Sequence, residues 1–145
     1  MSELVWIRSH VERCLQQTWG HEPEPDEEGD IAFRYGCGDG WVMVLPGSPP
    51  TIHVFAHIVE NIKRTGKLLI ELNEAQRAVG PALFWSDDTV IAHEVLSPYG
   101  LTPESLGAAL ADVGDLANHL GPLLASVHGG NTPHPARADI SEDIT

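Results

Sequence analysis

The chain has 145 residues, 42 % of them apolar, and sets 21 acidic side chains against 8 Lys and Arg for a formal net charge of −13. That length is one domain with a real core. The negative field repels phosphate backbones and anionic lipid, so no nucleic acid and no membrane surface is expected as a partner; solubility, or the binding of basic segments, remains.

Residues 2–19 read as a first helix. Ser2 is the N-cap, Leu4, Ile7, Val11 and Leu15 with Cys14 beside them form one apolar stripe, and Gly20 ends it. The connector "HEPEPDEEGD" (21–30) has six acids and two prolines among its ten residues and reads as solvated. It lacks the Asp/Asn spacing and central Gly of a calcium loop.

Three strands follow. "IAFRYG" (31–36) alternates Ile31, Phe33 and Tyr35 with Ala32 and Arg34. "CGDG" (37–40) is the turn, with Asp39-Gly40 as the hairpin signal. "WVMVLP" (41–46) is apolar on both faces, and "GSPP" (47–50) turns the chain again. In "TIHVFAHIV" (51–59), Ile52, Val54, Ala56 and Ile58 are the expected core face, with His53, Phe55, His57 and Val59 opposite. If the first set faces the helices, Trp41, Met43 and Phe55 share the open side. Such a patch marks a peptide or partner surface unless a helix, a loop or a second copy covers it.

"KLLIELNEAQRAVGPALFW" (67–85) places Leu68, Leu72, Ala75 and Val79 on one helical face, and Gly80-Pro81 stops the helix. Ile70 lies off that stripe. With Leu83 and Trp85 of the next strand, "ALFWS" (82–86), it is the candidate centre of a homodimer interface. Asp87-Asp88 turns the chain into "TVIAHEVLS" (89–97). Thr102 caps the last helix, Pro103 is its first residue, and an apolar face from Leu106 to Val127 carries it to about 128. The expected fold class is α+β: a five-stranded antiparallel sheet with three helices in the order α-β-β-β-α-β-β-α. A single domain spans 1–131, and the acidic stretch 132–145, with two prolines and no periodicity, is expected to be a disordered tail.

Two cysteines, Cys14 and Cys37, are too few for a disulfide framework and read as free thiols of a reducing compartment. "MSELVWIRSHVERC" has no basic and apolar signal regions, and no apolar run approaches the ~20 residues of a membrane helix. A cytoplasmic location is expected. No catalytic signature emerges. His53 and His57 are about 13 Å apart along a strand, too far to share a metal. The glycines of "GCGDG" precede a strand rather than a helix N-terminus, so they do not cradle phosphate. "LPGSPP" is not a nucleophile elbow, and nothing places a base near Cys37. No cofactor and no metal are expected.

The element order, "LLIELN" (Leu68 to Asn73) heading the middle helix, the aromatic "LFW" strand after it and a late capped helix ending in "HGG" resemble the YbjN-type bacterial family. The resemblance spans roughly residues 2–130. It implies a fold similar to class I chaperones of type III secretion. It also implies a non-enzymatic module that recognises a segment of a partner protein, as a homodimer. A regulatory or scaffold homodimer without a peptide client is the alternative reading.

Overall fold

A computed structural model describes residues 2–76 and 80–135. The elements are α1 (Glu3–Trp19), β1 (Ile31–Tyr35), β2 (Gly38–Leu45), β3 (Thr51–Val59), α2 (Gly66–Ala75), β4 (Ala82–Ser86), β5 (Thr89–Leu96) and α3 (Pro103–His128). The strands form one antiparallel sheet in the order β1-β2-β3-β5-β4. This is the α+β class and the element order expected from the sequence.

Local chemistry explains the helix ends. The Ser2 hydroxyl accepts from the Val5 N–H, and Gly20 closes α1 at φ 78°, a left-handed conformation that glycine adopts without cost. Thr102 and Ser105 cap α3 reciprocally, with Pro103 in the first turn. α2 ends at Ala75, earlier than Gly80 suggested. Gln76 is extended, and its side-chain carbonyl accepts from the Leu83 N–H of β4, so the residue that would prolong the helix ties it to the sheet instead. Val79 lies outside the described residues.

The helices lie on one side of the sheet and share one core with it. Ile7, Val11 and Leu15 of α1, Leu68 and Leu72 of α2, and Leu106, Val113 and Ala117 of α3 meet Val42, Ile52, Val54, Ala56, Val90 and Ala92. Burial of each of the Val, Leu and Ile side chains among them stabilises by about 1.5–3 kcal/mol. α3 comes close because small residues face the strands. A Cβ on Gly38 of β2 would lie 2.7 Å from that of Ala117, and a Cβ on Gly114 would enter the ring of Tyr35.

Two expectations need correction. The first hairpin turns at Gly36-Cys37, since Tyr35 pairs with Gly38, and Asp39 and Gly40 are already in β2. Gly36 supplies the positive φ that a two-residue loop needs, while Gly40 leaves the space that the Phe33 ring fills across the ladder. The acidic connector is mostly exposed and is held as a turn: Asp26 accepts from the N–H groups of Glu28 and Asp30, and the Arg8 side chain packs beside Gly29. The segment after α3 is held as far as it is described. Asn131 bridges to Glu60, and His134 bonds to both Asp39 and the Cys37 carbonyl. Tail residues 132–135 are therefore strapped to the body, and residues 136–145 lie outside the described residues.

Candidate functional site

Strand alternation gives the sheet a second face. Val42, Val44, Ile52, Val54, Val90 and Ala92 are buried toward the helices, so their neighbours point the other way. Trp41, Met43 and Leu45 of β2, His53, Phe55 and His57 of β3, Ile91, His93 and Val95 of β5, and Phe84 of β4 form that face. They are half-buried or exposed, with Leu45, Phe84 and Val95 the most open.

Register brings these side chains together. Trp41 pairs with Phe55, Met43 with His53, Phe55 with His93, and Phe84 with Ile91. The Trp41 and Phe55 rings stack at 5.4 Å, and His57 tilts against Trp41 at 4.9 Å. Phe55 and Phe84 each present an edge to His93, at 6.4 and 6.3 Å. A shallow depression of about 180 Å³ lies among Met43, Leu45, His53, Phe55, Phe84, Ile91 and His93. Trp41, Met43 and Phe55, which sequence alternation placed on one surface, lie on this face.

At its centre two imidazoles meet. His53 Nδ1 and His93 Nε2 are 2.8 Å apart with the rings stacked at 5.0 Å, and the Thr51 hydroxyl is 2.8 Å from His53 Nε2. Burial holds both imidazoles below their ordinary pKa, and for His93 the neighbouring His53 adds to the effect. His57 lies farther along, 3.7 Å from Glu60. Among the described residues no cluster of three or more His, Cys, Asp or Glu is arranged to hold a metal ion. The His53–His93 pairing was not readable in advance. The two residues are 40 apart in sequence, and the adjacency of β3 and β5 crosses over α2 and β4.

The other candidate trio separates. Ile70 is 61 % exposed. Leu83 is only 7 % exposed and belongs to the core, because it pairs with Ala92 on the helix side of the sheet. Trp85 is on that side too; its indole N–H donates to the Ile62 carbonyl, and the Arg64 guanidinium covers its ring at 5.6 Å. Leu83 is already covered by its own chain and has little surface left for a second copy. The Glu71 carboxylate and His128 join α2 to the end of α3 at 3.1 Å, and exposed Val127 and Leu123 lie on that end of α3.

A second concavity, of about 610 Å³, runs beside the outer edge of β1. Trp19, Phe33, Tyr35, Leu110 and Ala111 line it, and among the described residues β1 pairs with β2 alone. Cys14 and Cys37 are buried and unpaired with each other, and burial pushes both thiols up. No helix among the described residues is long and apolar enough to cross a membrane.

A five-stranded sheet with helices on one side, an apolar aromatic surface on the other and a free edge beside a groove defines a binding scaffold of the secretion-chaperone type. The chain belongs to the family described as T3SS (YopN, CesT) and YbjN peptide-binding chaperone 1, whose model matches residues 6–136. Among solved structures it is similar to the ExsC–ExsE complex, with a TM-score of 0.66 and 20 % identity, covering 81 % of this chain and 95 % of that one. It is also similar to the HopA1–SchA chaperone–effector complex, with a TM-score of 0.61 and 10 % identity over the same shares. At those identities the likeness is one of fold. No curated protein matches the chain. The resemblance seen in "LLIELN" and the element order thus holds, and the chain is a chaperone-like, protein-binding module.

Proposed function

We propose that this module is non-enzymatic, works in the cytoplasm, and holds an apolar segment of a client protein on its open sheet face, with Trp41, Met43 and Phe55 as the principal contacts. The observation that carries this reading is the aromatic surface that the described residues leave uncovered. Large aromatic and Met side chains are the residues enriched at the centres of protein interfaces, and here they converge around a depression rather than being scattered. The surplus of 21 acids over 8 Lys and Arg favours clients whose apolar segment is flanked by basic residues. The free edge of β1 offers an extended client backbone a second contact.

Peptides selected from a random library against the native protein test this. Trp41→Glu and Phe55→Glu should each weaken a selected peptide by about a hundredfold while the fold is retained, the scale of an interface hot spot. Equal binding to wild type and both variants rejects the face as the site.

The proposed working unit is a homodimer. Exposed Ile70 on α2 and exposed Leu123 and Val127 on α3 support it, as apolar groups on two elements that the Glu71–His128 bond joins. Sedimentation at micromolar concentration tests it. A dimer that Ile70→Asp dissociates is the expected result, and a monomeric wild type rejects it. Self-association in a protein that takes no peptide at all favours the scaffold reading instead.

A further inference from the structure

We propose that the His53–His93 pair makes the open sheet face a proton-gated docking surface, which holds an apolar client segment while the pair is neutral and releases it when the pair takes up protons. The inference rests on the reading of that face as the client surface.

The geometry gives the pair one shared hydrogen. Neutral imidazole has one N–H and one bare nitrogen. With His53 Nδ1 and His93 Nε2 at 2.8 Å, one ring donates and the other accepts. The Thr51 hydroxyl can accept or donate at His53 Nε2, so either direction of the chain is satisfied. A first added proton leaves one imidazolium bonded to one neutral ring. A second makes both facing nitrogens donors, and the bond between them cannot survive.

Among the described residues little around the pair compensates such a charge. The depression is lined by Met43, Leu45, Phe55, Phe84 and Ile91 besides the two histidines. Along β2 the charged group on this face is Asp39, which lies beyond Trp41 and is bonded to His134. Along β3 it is His57, placed against Glu60. On β5, Glu94 follows His93 but points to the helix side near Asp112 of α3. β4 brings no ionisable side chain between Ala82 and Ser86, and on β1 Arg34 is directed to its own turn through the Gly36 carbonyl. A client segment lying over the pair would take it further from water and so favour the uncharged form. By linkage, a ligand that expels protons binds more weakly as the pH falls.

A neutral apolar dye, Nile red, is the probe. Its dissociation constant is measured at about pH 7.5 and about pH 5, below the ordinary histidine range, on the wild type and on His53→Asn and His93→Asn. Wild type should lose affinity several-fold between the two, since each proton expelled costs up to about tenfold for each pH unit below the pair's own pKa, which burial holds under the ordinary histidine value. Each single variant keeps one imidazole on the face and should lose less affinity than wild type, and the double variant His53→Asn/His93→Asn should show a flat profile. Dye that binds wild type equally at both pH values overturns the gate and leaves the docking face standing. A loss of the same size in wild type and the double variant also overturns it, by assigning the titration elsewhere. Dye that fails to bind at the higher pH, or whose binding survives Phe55→Glu, overturns the docking face and the gate with it. Cε1–H titration of the two rings by NMR is the second readout. Two independent imidazoles titrating at their ordinary pKa contradict a coupled pair.

Discussion

His134 is bonded through Nε2 to the carboxylate of Asp39, 95 positions away in the chain. Its backbone N–H also donates to the Cys37 carbonyl at 3.0 Å, and the Thr132 hydroxyl donates to the His134 carbonyl. The segment after α3 thus ties that helix to the β1–β2 hairpin. Ending the chain after Asn131 rather than after Pro135 should lower the melting temperature by roughly 2–5 °C, the equivalent of about 1 kcal/mol or slightly more in a domain of this size. His134→Ala should account for part of it. Identical melting curves for the two truncated chains would show that the strap carries no stability.

The approach of α3 to the sheet at Gly38 and Ala117 predicts a specific coupling. Gly38→Ala sets two methyl groups 2.7 Å apart between backbones that cannot turn aside. It should cost about 1–3 kcal/mol, as overpacking does. Combining it with Ala117→Gly removes the clash, so the double variant should be more stable than the sum of the single losses implies. Denaturant titration of the four proteins gives the coupling directly, and additive losses would contradict the contact.

Leu83 and Ile70 should respond oppositely to a charge. Leu83→Asp places a carboxylate in the core without a partner and should destabilise by more than about 3 kcal/mol. Ile70→Asp leaves the chain folded, with its melting temperature changed by no more than about 2 °C in the monomer. Circular dichroism separates the two. A folded Leu83→Asp would mean that the residue is not where the β4–β5 register puts it.

Glu94 is a carboxylate that the fold disfavours. Burial raises its pKa first and Asp112 second, and its Oε1 has no hydrogen-bond partner among the described residues. A carboxyl with a raised folded pKa binds its proton more tightly when folded, so its penalty is present at neutral pH. That penalty fades as the pH falls through the raised value toward about 4.5. Glu94→Gln should therefore raise the melting temperature at neutral pH by on the order of 1–3 °C, a small effect because solvent screens a half-buried group. The advantage should vanish below about pH 4.5. An advantage independent of pH would point to packing instead.

Both thiols should be silent toward an aromatic disulfide reagent in the native protein and appear together on unfolding. Cys14 is 2 % exposed and Cys37 3 % exposed, and burial disfavours the thiolate that reacts. Fast labelling of either native thiol would contradict this.

Periodicity carried most of the architecture. The stripe of α1, the alternation of β3, the caps Ser2 and Thr102 and the Asp87-Asp88 turn were legible because each is a local signal of backbone geometry. The first hairpin was misplaced because Asp39-Gly40 is a strong turn dipeptide, yet Gly40 was needed as open space for Phe33. The face of α3 was read through its large apolar residues. The structure also buries Gly114 and Gly121, whose value is their lack of a side chain. The site was half legible: Trp41, Met43 and Phe55 follow from alternation within adjacent strands. His93 and Phe84 required knowing that β3 pairs with β5, a long-range choice that local pattern does not encode.

The two margins of the sheet are not equivalent. β4 has α2 alongside it, with Gln76 occupying the Leu83 N–H, whereas the outer margin of β1 is unpaired. A sheet open at both margins can be copied onto itself without limit, strand after strand, into a fibre. Here a strand that joins at β1 meets a molecule whose opposite margin has the Leu83 N–H taken by Gln76. Head-to-tail growth through β1 and β4 must therefore displace Gln76 at every step, which hinders a chain with an open β1 margin from seeding its own polymer at high concentration.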